Sequence, residues 1–424
     1  QITDHIINLL EQLDNDFKLK DGTLIKPATF FNQILLQKFI QALDFNPLDD
    51  QDLNDKNKQV YHEYFSQFTH EVNRLKQYLI KLSSDSKWDT HPSTGLSQYP
   101  LSIYQFAFEY HTGVKLPTTD LKETFEKIKL WGEKHLTHLM IELECCCGRI
   151  LNLADDDKSL TLEEKLTRVQ SDQSQVWSSK QEMIEAFQKC LAKYRHIFIK
   201  EKGFKEFNEP DILVFDNPLL AGGYYYQNKF YLNVCDWESG NAKYEVENLT
   251  LHETIPGHHL QIDISLNSSN SNYLCQLFPY VTNGFVEGWG LFAEQLGDSN
   301  EDKWIYYGYL QMNILRTFRI IADIMLHVEG SPPEDVIKLA KRYLTMASNA
   351  IVSEIYRYRV FPGQAMSYKI GLEVFKLIIK QKFGITDTED FLKSELVEWY
   401  KELLWNTERP LQIFLQENEI ILDF

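Results

Sequence analysis

The chain has little of what would make it a loop-rich, disulfide-stapled or nucleic-acid-binding protein. Its 424 residues include only 19 glycines and 13 prolines, too few for a collagenous or low-complexity chain. Six cysteines are too sparse for a disulfide framework, and none has the C-x-x-C spacing of a zinc ribbon. The run Cys145-Cys146-Cys147, with Cys190, Cys235 and Cys275 dispersed, reads as buried thiols and leans towards a reducing compartment. Basic residues number 43 against 61 acidic, a net charge of −18, which argues against a phosphate-backbone partner; no nucleic acid is expected. No apolar stretch is long enough to span a bilayer, so no transmembrane segment is expected. Internal repeats are absent, and Asp155-Asp156-Asp157 reads as a solvated turn.

What is there is helical periodicity with start and stop signals. Thr161-Leu162-Glu163-Glu164 and Ser331-Pro332-Pro333-Glu334 have capping-box spacing, the second with proline at the first helical position. Gly384 and Thr386-Asp387 read as a helix stop and a new start. Two β-rich runs, Asp211–Phe215 and Tyr224–Val234 with a polar break at Gln227-Asn228, predict a small antiparallel sheet; residues 217–223 form the loop into it. The expected fold is mainly α, a large helical body with a central cleft and one small antiparallel sheet next to the helix that carries His252. An N-terminal helical region, 1–205, and a catalytic region, 206–424, are expected to form one continuous unit.

Chemistry concentrates at His252-Glu253-Thr254-Ile255-Pro256-Gly257-His258-His259. Imidazoles that can hold zinc stand beside a carboxylate that can take a proton from water, the pairing used by zinc hydrolases in the H-E-x-x-H signature. Here proline stands where the second histidine belongs, so the helix must bend or widen. If Pro256 and Gly257 loop out as a two-residue bulge, His258 takes the i+4 place. If the helix runs on, His259, seven residues after His252, returns to the same face. His258 is preferred, because an unbroken helix through Pro256 is the less favourable geometry, and His259 then falls to a supporting role. For a third ligand, Glu287 and Glu294 are spaced by seven and share one helix face; one can bind the metal while the other orients a ligand histidine.

The segments 252–261, 286–297 and 357–371 together resemble a large bacterial family with an H-E-x-x-P-G-H-H signature, many of whose members carry a lipoprotein label. The likeness runs from about residue 210 to 375, with a weaker stretch from Gly95 to Met140. More distantly, the order of parts is similar to helical zincin-type peptidases of the carboxypeptidase Taq and angiotensin-converting types. That resemblance implies Zn2+ held by His252, His258 and Glu287, with Glu253 as general base. It also nominates Tyr358 as the oxyanion donor, since a similar Arg-Tyr pair supplies one in the angiotensin-converting type. Tyr368 is the reserve, and Arg357 and Gln364 of the same segment join the supporting group.

Arg319, Asp323 and His327 are spaced by four on an otherwise apolar helix, so Asp323 is expected to pair with both neighbours and brace the site or the core. The expected function is a zinc-dependent metallopeptidase cleaving short oligopeptides, with an extended substrate added to the small sheet's edge. The competing readings are a zinc amidase or esterase and a non-catalytic peptide or metal receptor; Glu253 argues against the receptor, which needs no general base. Localisation follows the missing start: the chain opens at Gln1, so the lipoprotein label implies a periplasmic or lipid-anchored protein if a signal precedes it, and a cytoplasmic one otherwise.

Overall fold

The computed structural model describes residues 95–422, apart from 98, 118, 155–158, 218–221, 236, 239–241, 270–282, 298–301, 387, 407–408 and 421; upstream of these it describes 70, 73, 74 and 77, which are helical. By its contacts the chain divides into two units, Gln1–Gly95 and Leu96–Phe424, and the elements below belong to the second. The fold is mainly helical with one three-stranded sheet.

Helix α1 (Leu101–Thr112) is followed by the long α2 (Leu121–Ile150), whose buried Phe125, Ile128, Gly132, Leu136, Leu139 and Leu143 recur every three or four residues. That stripe lies along α8 (Lys303–His327), where Ile320 and Ile321 meet Gly132. Between them in sequence come α3 (Leu162–Gln170), opened by the expected Thr161–Glu164 capping box, and α4 (Lys180–Arg195). Next come α5 (Val246–Glu253), α6 (His258–Asn267) and α7 (Asn283–Glu294), which carry the His252–His259 run, Glu287 and Glu294. After α8 follow α9 (Pro333–Tyr343), α10 (Ser348–Val360), α11 (Ser367–Phe383), α12 (Ser394–Trp405) and α13 (Leu411–Glu417).

Helices α7 and α11 approach unusually closely. A Cβ on Gly288 would stand 2.6 Å from the Gly371 Cα, so only glycine at both places lets the two backbones touch. Around that contact Phe285, Trp289, Phe292, Phe375 and Tyr400 form a buried aromatic core.

The sheet corrects one expectation: it is mixed, in the order β1-β3-β2. Strand β2 (Gly223–Tyr226) and β3 (Lys229–Asn233) form the antiparallel hairpin, turning through Gln227 and Asn228, both at positive φ. Strand β1 (Asp211–Phe215) pairs parallel with β3, the chain between them, 216–228, including β2 itself. Residues 218–221 of that stretch lie outside the described residues, as do Asp155–Asp157, Cys275 and Asp387.

Three smaller expectations also change. Ser331 does not cap α9, because Pro332 occupies the cap position with Pro333 as the first helical residue. Of the cysteine run only Cys146 and Cys147 are buried, and burial pushes their thiols up to about 11 and about 12; Cys145 is exposed on the opposite helix face. Asp323 does not pair with both neighbours. It accepts from the Tyr104 hydroxyl at 2.5 Å and the Gly363 amide at 2.8 Å, donors that distant segments bring to its face, while Arg319 turns to α10. His327 Nε2 stays 4.0 Å from Asp323 and instead donates to the Tyr358 carbonyl at 3.0 Å, its Nδ1 accepting from the Leu96 amide. Among the described residues no helix is long and apolar enough to cross a membrane.

Candidate metal centre

Helix α5 carries His252 and Glu253 in its last turn and stops there. Pro256 has no N–H to continue the ladder, and four residues, 254–257, leave the helix before α6 restarts at His258, a wider break than the two-residue bulge expected. Local bonds hold the break in shape. Thr254 N and Oγ1 both bond to the Thr250 carbonyl at 2.9 and 2.6 Å, Leu260 N reaches the Thr254 carbonyl at 3.2 Å, and Trp289 Nε1 satisfies the Pro256 carbonyl at 2.8 Å. Gly257 allows the turn to close: a Cβ there would lie against the Leu251 and His252 carbonyl oxygens.

The break brings His258 beside His252, their rings 4.6 Å apart at 80°. Glu287, on α7, faces both. Its Oε2 lies 3.5 Å from His252 Nε2 and 3.3 Å from His258 Nε2, and ligand atoms of all three residues lie within 4.8 Å of one another. These spacings suit a common centre. Tetrahedral zinc with bonds of about 2.0–2.2 Å to nitrogen and oxygen sets its ligand atoms roughly 3.3–3.5 Å apart. At these distances Glu287 Oε2 is buried with no directed hydrogen bond, its lone pairs unspent. Two imidazoles and a carboxylate are also a donor set that zinc accepts, so the residues fit the ion.

The other face of His252 is held by Glu294, whose Oε1 stands 2.8 Å from Nδ1. That bond fixes the ring so that Nε2 faces Glu287 and His258. Burial works against charge on His252, but Glu287 and Glu294 outweigh it and push the imidazole up to about 10. Burial likewise disfavours the Glu287 carboxylate, yet the two histidines hold it well below the usual carboxylate range. Glu253 is buried, and that desolvation raises its carboxyl; His252, His258 and Glu287 all act on it, and the Tyr225 main chain of β2 hydrogen-bonds to it.

His259 is turned away from this cluster. Its Nε2 donates to the Asn208 carbonyl at 2.9 Å and its ring meets Tyr225 edge-on at 5.6 Å. The two nominated tyrosines are placed differently as well. Tyr358 is buried, donates to Glu354 Oε2 at 2.5 Å and accepts from Arg319 Nε at 3.1 Å. Tyr368 stacks on His252 at 6.5 Å and 16°, and after burial the nearby Glu287 charge is the largest influence raising its phenol. Arg357 bonds Glu354 and, through Nη1 at 2.7 Å, Gln364 Oε1. Asp323 and His327 sit behind this segment, at Gly363 and Tyr358.

Two residues here escaped the sequence. Glu354 gathers Arg319, Arg357 and Tyr358, and its place three and four residues before the latter two was the available signal. Arg316, one turn before Arg319, lies 3.8 Å from Glu294 and 6.0 Å from the Tyr368 ring.

Comparison with known proteins bears on the fold and the lineage. A family model described as "Bacterial protein of unknown function (DUF885)" matches residues 6–381. No curated protein matches the chain. Among solved structures the chain is similar to one described as a putative lipoprotein from Colwellia psychrerythraea, with a TM-score of 0.71 and 20% identity over 91% of this chain and 66% of that one. It is also similar to one described as a putative lipoprotein of unknown function from Shewanella oneidensis, with a TM-score of 0.64 and 15% identity over 98% of this chain and 78% of that one. The chain thus spans just under two thirds of the Colwellia protein.

Proposed function

The chain belongs to that bacterial family of unknown function, and we propose that it works as a zinc-dependent peptidase on short oligopeptides. The observation that carries the reading is the convergence of His252 Nε2 and His258 Nε2 on Glu287 Oε2, with the buried carboxylate of Glu253 beside them. His252, His258 and Glu287 would hold the ion. When bound, zinc supplies a Lewis acid that polarises a carbonyl and acidifies water.

Glu253 is the proton carrier. Its raised basicity lets it take a proton from water and pass it to the leaving amine, and its bond to the Tyr225 main chain keeps it aimed from the sheet side. The register of β2 on β3 pairs Tyr226 with Lys229 and Tyr224 with Tyr231, so the main-chain groups of Gly223 and Tyr225 face away from β3, on the side where the Tyr225 main chain bonds to Glu253. An extended peptide laid there would present its backbone beside Glu253. Tyr368, stacked on His252, is the phenol best placed to donate to an oxyanion, while Tyr358 positions Arg319 and Glu354. The lipoprotein label of the structural relatives favours action outside the cytoplasm, as a lipid-anchored or periplasmic protein.

Metal analysis of purified protein with cleavage of a mixed short-peptide library tests the proposal. About one zinc per chain and metal-dependent cleavage are expected. Stoichiometric zinc with peptide binding but no cleavage would favour the receptor reading, and cleavage confined to non-peptide amides or esters would favour the amidase or esterase.

A further inference from the structure

The segment before β1 is held more firmly than its exposure calls for. Phe207, Asn208 and Glu209 are exposed, and residues 202–210 form neither helix nor strand. Yet their polar groups reach into the interior. The Phe207 and Asn208 amides donate to Asp263 Oδ2 at 2.7 and 3.1 Å, and Asn208 Nδ2 donates to Oδ1 at 2.6 Å. The Asn208 carbonyl accepts from His259 Nε2 at 2.9 Å. From the other side, Arg195 of α4 grips Glu206 with Nε and Nη2 at 2.9 and 2.8 Å and reaches Glu209 with Nη1.

Asp263 is 1% exposed, and beyond a donor from Asn267 at 3.3 Å its carboxylate is spent on this segment. Burying a charge among neutral amides is a poor route to stability, because apolar groups in its place would avoid the desolvation cost. What such directed bonds supply is position: each fixes a distance and an angle that apolar packing would leave free to slide. His259 carries that position to the sheet. Its ring meets Tyr225 edge-on at 5.6 Å, and the Tyr225 hydroxyl is held in the hairpin turn, donating to Asn228 Oδ1 and accepting from the Asn228 amide, both at 3.1 Å. The Tyr225 main chain in turn hydrogen-bonds to Glu253. Helix α6, which begins at His258, therefore holds the sheet at two points, ahead of β1 through Asn208 and in β2 through Tyr225.

Resting on the peptidase reading, we propose that Asp263, Asn208 and His259 are positioning residues that clamp the sheet to α6 and so set the gap between β2 and the metal cluster in which an extended peptide is received. The clamp touches neither the ion nor the peptide. It acts through Tyr225, so a peptide that lies along β2 feels it, while a small ligand that meets only the ion does not. The precision matters, since a misplacement of about 1 Å can cost roughly 10²-fold in rate.

Two probes decide it: a peptide of about six residues, spanning roughly 20 Å when extended, and acetohydroxamate, which binds zinc and has no backbone to lay on a strand. Binding is read on the zinc-loaded Glu253→Gln protein, with and without the clamp substitutions, and cleavage with Glu253 intact. Asp263→Asn should keep about one zinc per chain and its acetohydroxamate affinity while binding the peptide roughly 10- to 100-fold more weakly, and with Glu253 intact the loss should fall on KM more than on kcat. Asn208→Ala, at an exposed residue whose main-chain bonds remain, should move the same way by less; if Asp263→Asn fails to fold, it decides alone. His259→Gln, which can still donate to the Asn208 carbonyl, should recover part of the peptide affinity that His259→Ala loses. Loss of acetohydroxamate binding in step with peptide binding overturns the clamp and makes the network a plain part of the fold. Cleavage by every variant at wild-type KM overturns the clamp and leaves the peptidase reading standing. Peptide binding that the variants weaken selectively, with no cleavage by the wild type, supports the clamp and overturns the peptidase reading instead.

Discussion

Glu294 Oε1 stands 2.8 Å from His252 Nδ1, on the side of the ring away from Glu287. A carboxylate in that position fixes the tautomer and orientation of the imidazole, so it governs metal affinity without touching the metal. Glu294→Gln should keep the fold and weaken zinc retention by roughly 10- to 100-fold, read by competition with a chromogenic chelator. Unchanged affinity would mean that the ring is oriented by its packing alone.

His258 and His259 are adjacent in sequence and opposite in role. His258→Ala removes a ring from the three-residue cluster and should abolish stoichiometric zinc. His259→Ala should retain it and lose roughly 2–4 kcal/mol of stability, because it empties a buried site against Tyr225 and frees the Asn208 carbonyl. Metal content and chemical denaturation separate the two; zinc lost from His259→Ala and kept by His258→Ala would reverse the assignment.

Gly290 offers a test that changes no ligand. A Cβ there would stand 2.8 Å from His252 Cε1 and 2.9 Å from His258 Cε1, closer than real side chains approach. Gly290→Ala should therefore push the two rings apart and reduce zinc retention, while the rest of α7 gains helix propensity. Full metal content in Gly290→Ala would show that the rings can yield without losing the ion.

Much of this was legible because it rests on local rules. The stripe of α2, the capping box at Thr161 and the stop at Gly384 follow from periodicity and turn chemistry. The hairpin turn at Gln227-Asn228 was legible in the same way, but the parallel pairing of β1 was not, since alternation along a strand does not specify its partner's direction. The stripe Arg319, Asp323, His327 located a helix face correctly. Its bonds were decided by Tyr104, Gly363, Leu96 and Glu354, which the chain brings there from far away. Helix α5 is buried almost all round, so its sequence carries little amphipathic signal; its chemistry, not its pattern, drew attention to it.

The buried pair on α8 should leave a mark on stability against pH. Burial raises Asp323 to about 7 from 3.8, so the stability of the neutral form is lost as pH rises from about 4 through about 7. Burial lowers His327 to about 4 from 6.5, so its contribution is lost in the opposite direction, as pH falls from about 6.5 through about 4. Over the shared window the two slopes oppose each other. Asp323→Asn can still accept from Tyr104 and should expose the histidine slope: relative to wild type, its unfolding free energy should rise between about pH 4 and 6.5, by an amount of order 3 kcal/mol at 1.36 kcal/mol per unit. Parallel curves for the two proteins across that range would refute the account.

Glu253, Tyr368 and Tyr358 can be told apart by which quantity each change moves. Glu253 stands outside the three-residue cluster, held by the Tyr225 main chain, and its task is to move a proton. Glu253→Gln should keep zinc and peptide binding and lose roughly 10²- to 10⁴-fold in turnover, the usual worth of a positioned general base. Tyr368→Phe keeps the ring that stacks on His252 and removes one hydrogen-bond donor, so the loss of roughly 10²- to 10³-fold should fall on kcat with KM near wild type. Tyr358→Phe leaves Arg319 Nε and Glu354 Oε2 each short of a partner in the interior. It should therefore destabilise the fold by roughly 1–3 kcal/mol. Because Arg319 also borders Tyr368, any kinetic effect of Tyr358→Phe should appear in KM more than in kcat. If Tyr358→Phe instead lowers kcat at constant KM while Tyr368→Phe is silent, the oxyanion donor is Tyr358, and its phenol must leave Glu354 when substrate binds.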